Sequence, residues 1–159
     1  RAYRRTPCGN PARRWSFPCS TFTGCCGTCS ESCPMAASGS GRAGGLYSPI
    51  GDLMNPAQLL ICEGWATGAT LHEESRHPVL CAMNAGNLLP VARAARAAWP
   101  CADLVICADN DRKTEGNPGL TAATAAAKAT GARLAVPEFP EGVSGSDFND
   151  LANLRRAAR

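Results

Sequence analysis

The chain has 159 residues, of which 45% are hydrophobic and only 6% aromatic, and its formal net charge is +3. This length suits one ordinary domain with an aliphatic core. No stretch approaches the roughly 20 apolar residues of a membrane-spanning helix, and no charged-then-apolar leader opens the chain. We therefore expect neither a membrane protein nor a secreted one, and the composition also excludes coiled coils, collagen and disorder of the whole chain.

The first 45 residues differ from the rest of the chain. They hold six arginines against one acid and six of the ten cysteines, and they contain no Leu, Ile or Val. No period of 2 or 3.6 residues predicts a strand or a helix there. From residue 46 onward, twelve acids accompany ten bases and apolar runs appear. We predict an irregular Cys/Arg-rich segment over 1–45 and a folded domain over 46–159.

Beyond residue 45, short apolar runs alternate with Ala-rich helical stretches. In chain order they predict a strand at 59–62, a helix at 65–75, a strand at 78–83, a helix at 88–99, a strand at 103–108, a helix at 117–130, a strand at 133–136 and a helix at 148–158 capped by Asp147 or Ser146. Strands that alternate with helices indicate right-handed βαβ units. The prediction is an α/β fold with a compact parallel sheet of about four strands flanked by helices.

Carboxylates follow the predicted strands at the points where ligands bind in such sheets. Glu63 follows the first strand, Asp109 and Asp111 follow the third, and Asp147 and Asp150 lie at the start of the last helix. Ligands bind parallel sheets at the carboxyl ends of the strands. Carboxylates gathered there repel one another unless a divalent cation neutralises them. Oxygen-only ligands indicate Mg²⁺ or Mn²⁺, and hence phosphoryl or nucleotidyl transfer or phosphodiester hydrolysis.

The same residues resemble a known family. Glu-Gly after one strand and Asp-x-Asp after another are similar to the Toprim domain, which bacterial-type primases, topoisomerases and some nucleases share. Over roughly residues 44–154 the chain resembles, more closely, the Toprim module of primases and primase-helicases on plasmids, phages and integrating elements. The strings that carry this resemblance are ICEGWATGATLHE, AGNL, ADNDR, NPGL and DFNDL.

The resemblance implies roles for the acidic residues. Glu63 matches the acid/base or metal-organising glutamate of the family, and Asp109 and Asp111 match its metal-binding pair. These three are the predicted catalytic residues. Asp147 matches a later acidic, metal-binding motif. The second member of that motif is Asn149 or Asp150, and our predicted metal ligands include Asp150.

Four further residues are predicted to contact nucleotide or DNA. Gly64 would let the backbone turn tightly beside the metal site. Asn87 would shape the neighbouring loop, and Arg112 and Lys113 would meet a nucleotide phosphate. Trp65 is expected to pack against helices, with stacking on a base as the alternative.

The implied function is Mg²⁺- or Mn²⁺-dependent nucleotidyl transfer for RNA primer synthesis during DNA replication of a mobile element. The module would act in the cytoplasm within a larger protein, on a single-stranded DNA template and nucleoside triphosphates, with a helicase domain as one option for a neighbour. Because the chain has no phosphate-binding helicase loop and no basic surface with interleaved aromatics, we expect it to prime weakly or not at all by itself. The alternatives are a Toprim-type metal-dependent nuclease and a catalytically inactive fragment.

The first segment supports two further hypotheses. The first is a zinc site built from four clustered cysteines, Cys25, Cys26, Cys29 and Cys33. Their spacing is partly that of zinc ligands, but no second well-spaced pair completes a usual zinc site. In the second hypothesis the segment is frameshifted. One permitted translation of residues 15–40 in an adjacent frame resembles the segment that precedes the Toprim module in these primases. This hypothesis predicts compensating insertions or deletions in the gene and poor order over residues 4–40.

Overall fold

A computed structural model of the protein describes residues 45–158. In this part of the chain five strands form one sheet in the order β1-β3-β2-β4-β5. The strands are β1 (Ser48–Ile50), β2 (Gln58–Cys62), β3 (Val79–Cys81), β4 (Asp103–Cys107) and β5 (Arg133–Ala135). The helices are α1 (Trp65–Ser75), α2 (Leu88–Ala98), α3 (Pro118–Thr130) and α4 (Phe148–Ala157), and a 3₁₀ turn covers Ala85–Asn87.

The α/β prediction is confirmed, with one strand more than expected. The four predicted strands pair in parallel with one another. The additional strand, β1, pairs antiparallel with β3 at the edge of the sheet. Its three residues are too few to show a period of 2, and Pro49 at its centre is a residue that strands tolerate at a sheet edge. Only the pairing with β3 makes this segment a strand.

The core lies on both faces of the sheet, as expected for a mostly parallel sheet covered by helices. Alternate residues of β2 point to opposite faces: Leu59 and Ile61 join the cluster under α2 and α3, and Leu60 and Cys62 join the cluster under α1 and α4. Small alanines supply most of the helical contribution to the first cluster. Burying each leucine stabilises the fold by about 1.5–3 kcal/mol.

The described residues bear on the membrane prediction but not on the predictions for the first segment of the chain. Among residues 45–158 no helix is both long and apolar enough to span a bilayer. The irregular segment over 1–45 lies, except for its last residue, outside the described residues. So do its clustered cysteines, its hypothetical frameshift and the expected poor order of residues 4–40. These statements and the domain boundary stay predictions.

Candidate metal centre

The two central strands bring the predicted catalytic acids to one edge of the sheet. β2 and β4 pair in parallel and in register, with Cys62 opposite Cys107. Glu63 directly follows Cys62, and Asp109 and Asp111 lie two and four residues after Cys107. All three acids therefore lie at the carboxyl edge of the sheet, where ligands bind in parallel α/β folds.

Asp109 carries a buried oxygen without a partner. Within the described residues its Oδ1 atom accepts no hydrogen bond. Burial raises the pKa of Asp109 from 3.8 to about 7, and four neighbouring negative charges contribute to the increase: Glu63, Asp147, Asp111 and Asp150. A buried carboxylate among like charges is unfavourable unless it is paired or neutralised. A bound cation would give the orphan oxygen a partner and would cancel the repulsion.

Glu63 has a milder version of the same environment. Burial raises the pKa of the Glu63 carboxyl, and the negative charge of Asp111 adds to the increase. The nearby backbone N–H of Ala85 opposes this increase and lowers the pKa of Glu63 in part. The 3₁₀ turn that contains Ala85 therefore lies near the Glu63 carboxylate.

The donor set fits a hard cation that keeps water ligands. Across residues 45–158, no three Asp, Glu, His or Cys side chains form a group that could hold a metal by themselves. Mg²⁺ requires no such cage, since one or two carboxylates, water and substrate phosphates usually complete its shell. The carboxylates of Asp109, Asp111 and Glu63 offer only oxygen and fit Mg²⁺ or Mn²⁺ in this way.

Asn117 and Gly119 support the loop that carries the aspartate pair. Asn117 accepts a hydrogen bond from the Asp111 backbone N–H (2.9 Å) and donates one to Asn110 Oδ1 (2.9 Å). It lies in the left-handed region with φ 41°, which asparagine tolerates better than most residues. A methyl group on Gly119 would lie 2.9 Å from the Asp109 carbonyl oxygen. The first turn of α3 therefore packs directly against the backbone of the aspartate loop.

The start of α4 brings two more acids near Asp109. Asp147 is the helix cap, which resolves the choice between Asp147 and Ser146: its Oδ1 accepts from the Asp150 backbone N–H at 2.7 Å. Its Oδ2 accepts from the Thr67 hydroxyl at 2.6 Å. Asp150 Oδ2 accepts from the Ser146 N–H at 3.0 Å. Both oxygens of Asp147 thus have partners within the chain, and one oxygen of Asp150 does.

The structure separates the two residues considered for the second position of this motif. Asn149 Oδ1 accepts from the Thr70 hydroxyl at 2.9 Å, so its side chain ties α4 to α1. Asp150 lines an open cleft together with Asp111. Asp150 is therefore the member of the pair that faces the candidate site.

Comparison with known proteins agrees with this architecture. A family model described as the Toprim domain matches residues 58–158, well over half of the chain. The chain belongs to the Toprim domain family. The match begins at the start of β2 and includes every acidic residue of the candidate site.

Two similar relatives share one name. One Escherichia coli protein named "DNA primase TraC" is 44% identical to this Toprim chain over 88 residues, or 53% of the chain and 8% of the relative. A second protein of that name and organism is 38% identical over 102 residues, or 60% of the chain and 7% of the relative. The Toprim chain thus spans less than a tenth of the length of these relatives. No solved structure matches it.

A cleft of about 920 Å³ opens beside the acids of the Toprim domain. Its walls are the loop after Asp111, the 142–146 loop and the exposed side of α4. Arg112 and Lys113 line this cleft, and the Arg112 guanidinium lies 5.6 Å from the centre of the Phe139 ring. The two predicted phosphate-binding cations are therefore next to the carboxylates, and their contact with nucleotide stays a prediction.

The other two predicted nucleotide-binding residues have different local roles. Gly64 has φ −89°, which any residue adopts, and a methyl group there would meet only Thr67 Oγ1 at 3.8 Å. Its backbone therefore needs no glycine, and the space beside it is open. Asn87 is buried; its Oδ1 accepts from Gly45 N–H, and its Nδ2 donates to the carbonyls of Leu46 and Ala82. These bonds use the Asn87 amide to hold the chain before β1 against the end of β3.

Sequence reasoning missed three residues that build the site. Thr67 holds Asp147, Asn117 holds the aspartate loop, and Gly119 allows α3 to approach Asp109. Asn117 and Gly119 were visible as the opening of a helix and as part of the family-like string NPGL, but neither showed a role at the site. One signal could have identified Thr67. Thr67 and Thr70 are three residues apart and therefore share one face of α1, and both are buried.

Proposed function

We propose that this Toprim domain is the metal-binding module of a mobile-element DNA primase, supporting Mg²⁺-dependent nucleotidyl transfer during RNA primer synthesis. The unpaired, buried Oδ1 of Asp109 among four other carboxylates carries the metal part of the proposal. The similarity to two proteins named DNA primase supports the reaction class.

Each side chain has a role in this proposal. Asp109 and Asp111 would bind the ion directly, with water and substrate phosphates completing its shell, and Glu63 would lie beside it. When bound, Mg²⁺ supplies positive charge to the phosphates of a nucleoside triphosphate and to the oxygens that react. Glu63, whose pKa is raised, is suited to accept a proton from an attacking hydroxyl. Arg112 and Lys113 would bind the phosphates from the cleft.

The rest of the reaction belongs to the parent protein. The Toprim chain corresponds to less than a tenth of the relatives named DNA primase, so we propose that most of the template-binding surface, and a helicase domain if the parent has one, lie outside it. We propose that the parent acts in the cytoplasm on single-stranded DNA and nucleoside triphosphates. The chain alone should prime weakly or not at all.

A Mn²⁺ titration of the full chain, followed by paramagnetic NMR broadening, tests the metal site. We expect broadening centred on Glu63, Asp109 and Asp111 that disappears in Asp109→Asn. Asp103→Asn is the matched control, because Asp103 is an aspartate at the opposite end of the same strand. A folded wild-type chain without localised broadening would show that the carboxylates are structural or decayed.

Two activity assays then separate the reaction classes. Incorporation of ribonucleotides on single-stranded DNA should be weak or absent for the chain alone, and strong template-dependent priming would contradict this expectation. Nicking of supercoiled DNA should also be absent. Metal-dependent nicking without nucleotides, lost in Asp109→Asn, would replace the primase proposal with a nuclease.

A further inference from the structure

Exposed apolar side chains gather on one side of the candidate metal centre. Among residues 45–158, five large hydrophobic residues are exposed, and three lie near the carboxyl edge of the sheet: Leu46, Trp65 and Met83. Trp65 opens α1 two residues after Glu63 and is 56% exposed. Met83 follows β3, is 58% exposed and donates its backbone N–H to the Glu63 carbonyl at 2.7 Å. Two residues with large, exposed apolar side chains therefore lie next to Glu63, one along the chain and one across the backbone hydrogen bond.

Core packing explains neither side chain. The expectation that Trp65 packs against helices is wrong, because more than half of its surface is in contact with solvent. Trp99, in contrast, is partly buried and packs against the main core. Met83 has φ +69°, a left-handed conformation that is uncommon for residues other than glycine. Such strained positions are concentrated at functional sites.

The charges of the site limit what can cover these side chains. The carboxylates around Asp109 repel phosphate in the absence of a cation, whereas the face of a nucleobase is neutral and flat. Aromatic side chains bind single-stranded nucleic acid through such faces without sequence preference. Arg112 and Lys113 follow β4 and line the cleft with Asp111, whereas Trp65 and Met83 follow β2 and β3, the next two strands across the sheet. The carboxyl edge thus offers cations, carboxylates and an apolar surface in succession.

We propose that Trp65 and Met83 form a platform on which a base of single-stranded nucleic acid stacks beside Glu63. This proposal rests on the proposed function, since it assigns the partner of the same site. Trp65 lies within about 7 Å of Glu63 along the backbone, because two residues span no more than that. A nucleotide whose phosphates meet the carboxylate-bound metal can therefore place its own base, or the adjacent one, on this platform.

NMR of the indole N–H groups of the full chain tests the platform. The chain has three tryptophans, and the spectrum of Trp65→Phe identifies the Trp65 resonance. The probe is a single-stranded oligothymidylate of 12 nucleotides, and its matched control is an abasic strand of equal length. We expect the Trp65 resonance to shift with oligothymidylate and not with the abasic strand, while that of Trp99 stays in place.

Variants measure the contribution of stacking to affinity. Trp65→Ala should weaken binding of oligothymidylate by about 5- to 150-fold, the range that loss of one stacked base implies. Trp65→Phe should restore most of the affinity because it retains an aromatic face. Met83→Ala should weaken binding by a smaller factor. If Trp65→Ala does not fold, the comparison of the two strands on the wild-type chain still decides the question.

Three outcomes would overturn the platform. They are an equal Trp65 shift with the abasic strand, no shift at millimolar oligothymidylate, and a shift that depends only on protein concentration, which would indicate self-association. The Mn²⁺ titration separates this failure from failure of the metal site. Localised broadening without a base-dependent Trp65 shift removes the platform alone, and the shift without broadening removes the metal proposal alone.

Discussion

The two ends of strand β4 carry aspartates in opposite environments. At the amino end, Asp103 forms an ion pair with Arg133, whose Nε donates at 3.0 Å, and accepts from Gln58 Nε2 at 3.1 Å. Beyond the carboxyl end, Asp109 has a buried oxygen with no partner among residues 45–158, and its pKa is raised to about 7. Because one strand positions both residues, the difference arises from what surrounds each end.

This contrast shows which edge of the sheet is built for stability. At the amino edge Arg133 and Gln58 satisfy an aspartate, and Arg96 donates to the carbonyls of Thr130 and Ala102. At the carboxyl edge, like charges face one another and burial has removed water from one of them. An isolated fold gains nothing from that arrangement. Without a counter-charge, the carboxyl edge therefore lowers the stability of the fold.

The largest effect should be the loss of Mg²⁺-dependent stabilisation when Asp109, but not Asp103, is replaced by asparagine. In denaturant unfolding with excess Mg²⁺, the wild-type chain should gain about 2.7 kcal/mol when Mg²⁺ reaches a hundred times its Kd. Asp109→Asn should lose most of this gain, whereas Asp103→Asn should keep it. Equal gains for both variants would show that the two edges do not differ in metal binding.

Gly119→Ala should damage the carboxyl edge specifically. The added methyl group would overlap the Asp109 carbonyl oxygen and lie 3.3 Å from Asp111 Oδ2, so we expect a loss of about 1–3 kcal/mol in unfolding free energy and weaker Mn²⁺ binding. Gly116→Ala is the control, since its methyl group would meet no atom of the described residues within 4 Å and would add only strain at φ +75°. Unchanged Mn²⁺ affinity in Gly119→Ala would mean that α3 does not position the aspartate loop.

The pH dependence of stability should reveal Asp109 when no metal is present. Burial raises the pKa of Asp109 from 3.8 to about 7 in the folded chain, so the folded state holds this proton more tightly than the unfolded state. In EDTA, this group should therefore lower the unfolding free energy as pH rises from about 4 to 7, with no further change above that range. Because solvent screens part of the shift, we expect a decrease of about 1–2 kcal/mol.

Asp109→Asn should remove this decrease, which urea unfolding at several pH values would measure. Asp103→Asn is the matched control, because Asp103 is not among the carboxylates that raise the pKa of Asp109. Parallel curves for the wild-type chain and Asp109→Asn would contradict the raised pKa.

The smallest effect should come from the amino edge. Asp103→Asn removes the ion pair with Arg133, and both side chains are partly solvated. We expect a loss of about 1 kcal/mol in unfolding free energy without any change in Mn²⁺ binding. Reduced Mn²⁺ affinity in this variant would show that the two ends of β4 are coupled.

The local sequence pattern predicted most of the fold. Strands β2 and β4 are buried on both faces, so each contains a continuous run of apolar residues that the sequence shows directly. The helices were equally visible, and the bounds of α1 agree with the prediction to the residue. β1 was not visible, because three residues around a proline carry no period and gain their structure only from β3. The expected packing of Trp65 against helices was wrong, because the apolar character of a side chain does not show whether the fold places another surface against it.

Sequence alone determined the order of the four parallel strands and the four helices along the chain, the resemblance to the Toprim family and the identity of the acids that follow the strands. These features are local, since they depend on side-chain period and on which residue follows a strand. Only the tertiary structure decided which acids keep free oxygens. The Thr67 hydroxyl and the Asp150 backbone N–H donate to the two carboxylate oxygens of Asp147. The Thr70 hydroxyl donates to the Asn149 side chain and ties it to α1. Among the described residues, nothing donates to the buried Oδ1 of Asp109, so this oxygen can bind a cation. Those outcomes depend on contacts between residues up to 80 positions apart, which no local pattern contains.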